Sequence, residues 1–146
     1  MMMPSSHVYS TVPLVPGWAE GSTFVLREPL SFWGGLDVTS GRIIDRWHPQ
    51  HGEVISKHIL LMRAGRGSSS GSSVLAEAIR LQTGPAGIVL LTRDAIVTVG
   101  AMVARELYGV QCPVVLASEA DWSAMVGAGR LVLAADEAEG EIVIKE

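Results

Sequence analysis

The second half of the chain alternates apolar runs with segments of helical periodicity. Residues 58–62, 86–92 and 113–118 are continuous apolar runs of the length that is typical of buried strands. Between them, residues 70–82 and 95–109 carry apolar side chains at helical spacing. This order of strand, helix, strand, helix, strand predicts a parallel βαβαβ centre with right-handed crossovers.

The pattern is different at both ends of the chain. Short apolar runs at 23–26 and 42–44 are separated by Pro-Gly, Gly-Gly and His-Pro pairs, which favour strands joined by loops. After a short predicted helix at 119–126, the runs GRLVLAA and EIVIKE flank the acidic turn DEAEGE and predict a terminal hairpin. The fold class is therefore α/β, with β-strands flanking the parallel centre. We expect one domain over 1–146, with residues 1–11 a loosely ordered N-terminal extension.

Composition agrees with a single compact domain. The chain has 146 residues, of which 48% are hydrophobic, and this is enough to form one core. A single cysteine, Cys112, cannot form an internal disulfide and is interpreted as a buried core thiol. No segment resembles a signal peptide or approaches the roughly 20 apolar residues of a membrane span. We expect a cytoplasmic protein that does not contact a membrane.

Charge bears on the choice of partner. The net charge is −4, and the cations are nine arginines and two lysines that form no basic stripe. Nucleic acid is therefore not an expected partner. The planar guanidinium of arginine suits carboxylates, so the bias towards arginine is compatible with a small acidic ligand.

The segment GRGSSSGS (65–72) follows a predicted buried strand and begins a helix. Ligands of open α/β sheets bind at this position, because free backbone N–H groups and the positive end of the helix dipole meet there. Its glycines allow close backbone approach, and its serines supply hydroxyl groups. An anion is the natural ligand. The simpler interpretation is a helix N-cap at Ser68 or Ser70.

Two other site types fit the segment poorly. A phosphate-binding P-loop requires Lys followed by Ser or Thr after the last glycine, and Gly71 is followed by two serines. In a dinucleotide fingerprint the third glycine would come one residue too late, with Asp94 as the ribose-binding acid. A serine hydrolase is disfavoured because all four histidines precede the segment and no triad order follows it.

Two further motifs precede the serine segment. His48, His51 and Glu53 have a spacing that resembles metal ligands, but Pro49 and Gly52 favour a loop with hydrogen-bonded imidazoles, so we expect no metal site. In the segment PLSFWGGLD (29–37), the two adjacent aromatic side chains fit either a core plug or a surface offered to a partner.

Three segments carry a specific resemblance. Residues 28–53 (EPLSFWGGLDVTSGRIIDRWHPQHGE), 59–72 (ILLMRAGRGSSSGS) and 100–109 (GAMVARELYG) resemble the small subunit, or swivel domain, of the aconitase X family. The resemblance implies a swivelling β/β/α domain of aconitase type. It also implies a large catalytic subunit that carries cysteine ligands for an iron or iron–sulfur centre, with no cofactor on this chain. Family substrates include cis-3-hydroxy-L-proline in bacteria and a phosphorylated mevalonate in archaea.

The same resemblance implies roles for individual residues. Aconitases carry a Gly-x-Gly-Ser-Ser-Arg loop whose serine acts as a base, and matching that loop assigns the base to Ser68. Arg66, Gly67, Ser69 and Ser70 then become substrate-binding residues, although Ser70 stands where aconitases have arginine.

The expected function follows from these assignments. We expect a hydro-lyase small subunit that is inactive without its large subunit and binds that subunit through Phe32 and Trp33. The triple-serine form of the loop favours cis-3-hydroxy-L-proline as the substrate. The alternatives are a phosphomevalonate dehydratase small subunit and a non-catalytic binding or regulatory module of swivel fold.

Overall fold

The computed structural model describes residues 7–67 and 69–145. Most of the strands form one closed barrel, and the helices pack against it. In chain order the elements are β1 (Val8–Val15), β2 (Gly17–Val25), α1 (Phe32–Gly35), β3 (Leu36–Asp37), β4 (Arg42–Ile43), β5 (Ile59–Met62), α2 (Ser70–Arg80), β6 (Gly87–Leu90), α3 (Ala95–Tyr108), β7 (Val114–Leu116), α4 (Glu119–Val126), β8 (Arg130–Ala135) and β9 (Gly140–Lys145).

The order of strands around the barrel is β1-β7-β6-β5-β2-β8-β9, with β9 pairing back to β1. Strands β2, β5, β6 and β7 are mutually parallel, whereas β1 and the β8–β9 hairpin are antiparallel to their neighbours. The predicted parallel centre is confirmed as β5-α2-β6-α3-β7. The expected flanking strands also exist. The run at 23–26 lies largely in β2 and the terminal hairpin is β8–β9, and these strands belong to the barrel, whereas the run at 42–44 contains β4, which pairs with β3 in a separate two-stranded sheet.

Alternate residues of the parallel strands face two cores. Leu60 and Ile88 lie in the cluster that includes the buried faces of α2 and α3. Ile59, Val89 and Val115 lie in a second cluster with β8, β9 and the buried side chains of α4. Because both faces of these strands are buried, their sequences are continuous apolar runs rather than alternating ones.

The helix boundaries follow local chemistry. Helix α3 begins after Asp94, whose carboxylate accepts a hydrogen bond from Val97 N at 2.9 Å, and ends at Gly109 with φ of 66° as predicted. Helix α2 ends at Arg80, before the predicted Thr83-Gly84-Pro85 stop. The left-handed residue after it is Gln82, with φ of 61°, rather than a glycine.

Two expectations about the ends of the core have different outcomes. Val8–Thr11 pair with β9, so the expectation of a loosely ordered extension over residues 1–11 is wrong for this part; residues 1–6 lie outside the described residues. Cys112 is buried, and burial raises the pKa of its thiol to about 12, which confirms a core thiol. Within the part of the chain that the structure describes, no helix is long and apolar enough to cross a membrane.

Candidate functional site

The candidate site lies where the four parallel strands end. Strands β2, β5, β6 and β7 run in the same direction, so the loops after Val25, Met62, Leu90 and Leu116 meet at one edge of the barrel. We call this the carboxyl edge. The segment 65–70, which leads from β5 to α2, lies at this edge and is called the serine loop. Its predicted position after a buried strand and before a helix is confirmed.

Two glycines allow the serine loop to pass close to two neighbouring loops. A Cβ atom added at Gly65 would overlap the carboxylate of Asp94, which follows β6. Gly67 has φ of 112°, and a Cβ atom there would come within 2.8 Å of the Cβ atom of Ser31, which follows β2. Glycine is therefore required at both positions, because the backbone passes close to two other loops. The contacts fix the loop against the barrel.

The structure places the predicted loop residues as follows. Arg66, Gly67, Ser69 and Ser70 are exposed at the carboxyl edge. Ser69 occupies the N-cap position of α2 and makes no capping hydrogen bond through its side chain, while Ser70 is the first helical residue. The expectation of an N-cap at Ser70 is therefore wrong. Ser68, the predicted base, lies outside the described residues.

Four arginines lie in the loops at this edge. Arg27 follows β2, Arg63 and Arg66 follow β5, and Arg93 follows β6. All four are exposed, and among the described residues none forms an ion pair within 4.0 Å. The Arg63 guanidinium carbon lies 5.9 Å from the ring centroid of Trp122 in α4. The edge therefore presents positive charge that no carboxylate of the described chain neutralises by a direct contact.

The loop after β2 is held by two buried polar side chains. Gln50 donates to Val25 O at 2.9 Å and accepts from Arg27 N at 3.0 Å. The Nδ1 atom of His48 accepts from Gln50 N at 3.1 Å, which leaves Nε2–H to donate to Glu28 O at 3.0 Å. Both side chains are 5% exposed. The histidine motif is therefore a loop, as expected, and the His48 imidazole is hydrogen-bonded in it.

No metal site forms in the described residues. Within 7–67 and 69–145, no three His, Cys, Asp or Glu side chains are close enough to hold an ion. The carboxylate of Asp94, considered as a ribose-binding acid, instead caps α3. The sequence alone did not indicate that Arg27, Glu28 and Arg63 line one pocket, because this proximity depends on the parallel pairing of β2 with β5.

The two predicted interface aromatics have different environments. Trp33 is 62% exposed, and its availability to a partner stays a prediction. Phe32 is 2% exposed and belongs to the core cluster beneath α2 and α3, so its expected place on a partner surface is wrong. Its burial follows from the packing of the turn at α1 on α2, where Gly71 faces Phe32. Trp47, which the sequence analysis did not select, is 93% exposed.

Comparison with known proteins identifies the family. The model of the aconitase X swivel domain matches residues 8–144, which is nearly the whole chain. The chain belongs to the aconitase X swivel domain family.

Several proteins of known name are similar in sequence to this chain. A cis-3-hydroxy-L-proline dehydratase of Pseudomonas aeruginosa is 43% identical over 115 residues, which are 77% of this chain and 20% of that protein. A phosphomevalonate dehydratase small subunit of Methanothermobacter thermautotrophicus is 42% identical over 88 residues, which are 60% of this chain and 67% of that subunit. The chain spans about a fifth of the length of the hydroxyproline dehydratases it matches.

A solved structure supports the fold. The crystal structure of Thermococcus kodakaraensis aconitase X in its holo form superimposes with a TM-score of 0.77 and 29% sequence identity. The match covers 93% of this chain and 98% of that chain. The expected swivel fold is confirmed.

Proposed function

We propose that this chain is the small subunit of an aconitase X type hydro-lyase. It would supply the serine loop to an active site that it shares with a large subunit. The observation that supports this proposal is the serine loop itself, which Gly65 and Gly67 fit against two neighbouring loops. The edge at which it lies is lined by arginines that form no ion pair with the described residues. Relatives in the same family are named as dehydratases.

The proposed division of labour between the subunits follows from the residues of this chain. Its described residues do not assemble a set of metal ligands, so they do not fit an iron or iron–sulfur centre. We place that centre on the large subunit. The share of this chain is then anion binding and proton transfer, which require only hydroxyl, guanidinium and backbone N–H groups.

Dehydration breaks a C–H bond and the neighbouring C–O bond. In the proposed mechanism Ser68, as the alkoxide, accepts the proton from the carbon beside the carboxylate, and the hydroxyl group leaves the next carbon with the electron pair of the C–O bond. The proton on Ser68 then passes to this leaving group, which departs as water, and the alkoxide is restored. The start of α2 and the Arg66 guanidinium favour the deprotonated form of a hydroxyl at this place, because both present positive charge. A general base of this kind contributes about 10²- to 10⁴-fold to the rate.

The remaining loop residues hold the substrate in this mechanism. Arg66 is exposed beside Gly67, and guanidinium groups bind carboxylates through paired hydrogen bonds. Ser69 and Ser70 lie at the start of α2, where side-chain hydroxyls and unpaired backbone N–H groups donate hydrogen bonds to an anion. Arg66 thus replaces the arginine that aconitases carry at the position of Ser70.

We propose cis-3-hydroxy-L-proline as the substrate, because the relatives of this name match 77% and 87% of the chain. The phosphomevalonate dehydratase small subunits favour a second candidate, since one of them is 42% identical over 60% of the chain. Both candidates are hydroxy acids that carry a carboxylate, and both are compatible with the arginines of the carboxyl edge.

Reconstitution tests the proposal. The chain, a large subunit of the aconitase X type and their mixture are each incubated with cis-3-hydroxy-L-proline, and the pyrroline product is measured. We expect product only from the mixture. Turnover of phosphomevalonate in a parallel assay, without turnover of cis-3-hydroxy-L-proline, would assign the second candidate. A stable complex that converts neither compound would contradict the catalytic proposal and favour a binding or regulatory module.

A further inference from the structure

A small pocket adjoins the serine loop and is lined by charges of both signs. Residues 26–29, which follow β2, and residues 62–64, which end β5, surround a volume of about 40 Å³. Ala64 of this pocket directly precedes Gly65, so the pocket opens next to the proposed base loop. The volume accommodates the charged end of a small molecule rather than a whole substrate.

The charged side chains of the pocket are Arg27, Glu28 and Arg63. They share one lining, yet within the described chain Glu28 forms no ion pair within 4.0 Å with either arginine. All three side chains are exposed. Opposite charges that lie near one another without pairing remain available to bind a ligand that carries both charges.

Buried groups hold both sides of this pocket. In the described residues, His48 and Gln50 are the only polar side chains that are buried, and both hydrogen-bond to the backbone of residues 25–28. On the other side, Arg63 lies over the ring of the buried Trp122. Polar groups are buried at a cost in free energy, so their use here indicates a loop whose position matters.

We infer that this pocket is a subsite for the α-amino acid group of a zwitterionic substrate. Glu28 accepts hydrogen bonds from the ammonium group, while Arg27 and Arg63 attract the carboxylate together with Arg66. An α-amino acid carries both groups on one carbon, and its recognition therefore requires opposite charges side by side. This inference rests on the proposed function, and it makes Glu28 the residue that selects amino acids over phosphorylated hydroxy acids.

The test is a substitution in the reconstituted complex. Glu28→Gln keeps the shape of the side chain and removes its charge. We expect KM for cis-3-hydroxy-L-proline to rise about tenfold or more, because a hydrogen bond to a charged group is lost, while kcat changes less than about twofold. Glu137→Gln on the β8–β9 turn is the matched control, since it removes one negative charge from an exposed site outside the carboxyl edge.

A substrate analogue separates recognition from structure. cis-2-Hydroxycyclopentane-1-carboxylate replaces the ring nitrogen with carbon and keeps the carboxylate and the hydroxyl group. Its Ki as a competitive inhibitor of the wild-type complex should be unchanged, or lower, in the Glu28→Gln complex. The substitution is thus expected to weaken only the ligand that carries the ammonium group.

The outcomes are distinct. An equal rise of KM for the substrate and Ki for the analogue would mean that Glu28 has only a structural role, and an unchanged KM would also overturn the inference. If the wild-type complex does not convert hydroxyproline at all, the proposed function fails first. In that case a phosphomevalonate KM that falls in the Glu28→Gln complex would still support charge selection by Glu28, and one that stays unchanged would contradict it.

Discussion

The two ends of the parallel sheet differ in whether their arginines form ion pairs. Three ion pairs are found in the described chain. Arg80 pairs with Glu77 at the C-terminal end of α2, and Arg105 pairs with Glu106 at that of α3. Arg130 pairs with Glu20 on the barrel wall, near the amino ends of the strands. Among the described residues, the four arginines at the carboxyl edge form none. The ion pairs of the described chain thus lie away from this edge, whose arginines are exposed.

The backbone differs between the two ends as well. At the carboxyl edge the left-handed position in the serine loop is a glycine, Gly67, which lets the loop approach Ser31 closely. At the amino end the left-handed positions include Lys57 and Gln82, with φ of 63° and 61°. Side chains at such positions cost conformational energy. The left-handed residues that carry a side chain thus lie where the strands begin, and the left-handed position of the serine loop is a glycine.

The largest effect is expected from a substitution that breaks the fit of the serine loop. In Gly65→Ala, either the loop shifts or the Asp94 carboxylate gives up its cap on α3. We expect activity of the reconstituted complex to fall about tenfold to a hundredfold, since small misplacements of reacting groups are costly. The loss of stability in chemical denaturation should be about 1 kcal/mol, the usual worth of a cap.

Gly129→Ala is the control for this prediction. An added Cβ atom at Gly129, which precedes β8, meets no atom within 4 Å. Its activity and stability should match those of the wild type. Equal effects at the two glycines would show that the serine loop has no special fit.

The next effect concerns the buried side chain of Gln50, which holds the loop after β2. In Gln50→Leu, Val25 O and Arg27 N lose their side-chain partners. We expect the free energy of unfolding to fall by about 2–6 kcal/mol, because two backbone groups lose their partners, each at about 1–3 kcal/mol. Urea unfolding measures this change. A loss below about 0.5 kcal/mol would mean that water replaces the two hydrogen bonds of the Gln50 side chain at little cost.

Relief of strain at the amino end should give a smaller change of the opposite sign. In Gln82→Gly, the left-handed residue after α2 no longer carries a Cβ atom. We expect the free energy of unfolding to rise by about 0.5–1 kcal/mol with activity unchanged. A loss of activity in this variant would place a function at the amino end and break the comparison.

The smallest effect concerns the exposed ion pairs. The hydrogen bond from Arg80 lowers the pKa of Glu77 from its ordinary value of 4.5. Because the folded pKa is the lower one, the stabilisation is present above about pH 4.5 and is lost as the pH falls through the folded value. Glu77→Gln should therefore be slightly less stable than the wild type near pH 7, and the two should converge in acid. Thermal unfolding across this range measures the difference, and a gap that persists in acid would contradict it.

Local pattern was sufficient to predict the centre of the fold. Continuous apolar runs and helical spacing predicted β5, β6, β7 and the helices between them. A strand that is buried on both faces has a continuous apolar run, whereas a helix that is buried along one stripe has apolar residues at helical spacing. The position of the serine loop followed from the same order. Closure of the barrel was not predicted, since the pairing of β1 with β9 joins residues that are far apart in sequence.

The candidate site was predicted only where a single segment carries it. Relations between segments were missed. Gln50 hydrogen-bonds to residues 23 and 25 positions away, and Glu28 and Arg63 line one pocket because β2 pairs with β5. Phe32 was misassigned because adjacent aromatics in a loop do not show which ring faces the core. Such facts depend on tertiary packing, for which one sequence gives no local signal.

The most direct test of the account is turnover by a complex that carries Ser68→Ala. Complex assembly is checked by size-exclusion chromatography. Ser22→Ala in β2 serves as a control outside the carboxyl edge, since Ser22 is exposed and lies beside the start of β5. We predict that Ser68→Ala lowers kcat about 10²- to 10⁴-fold while the complex still forms and binds its substrate. An assembled complex that keeps wild-type kcat would contradict the assignment of Ser68 as the base.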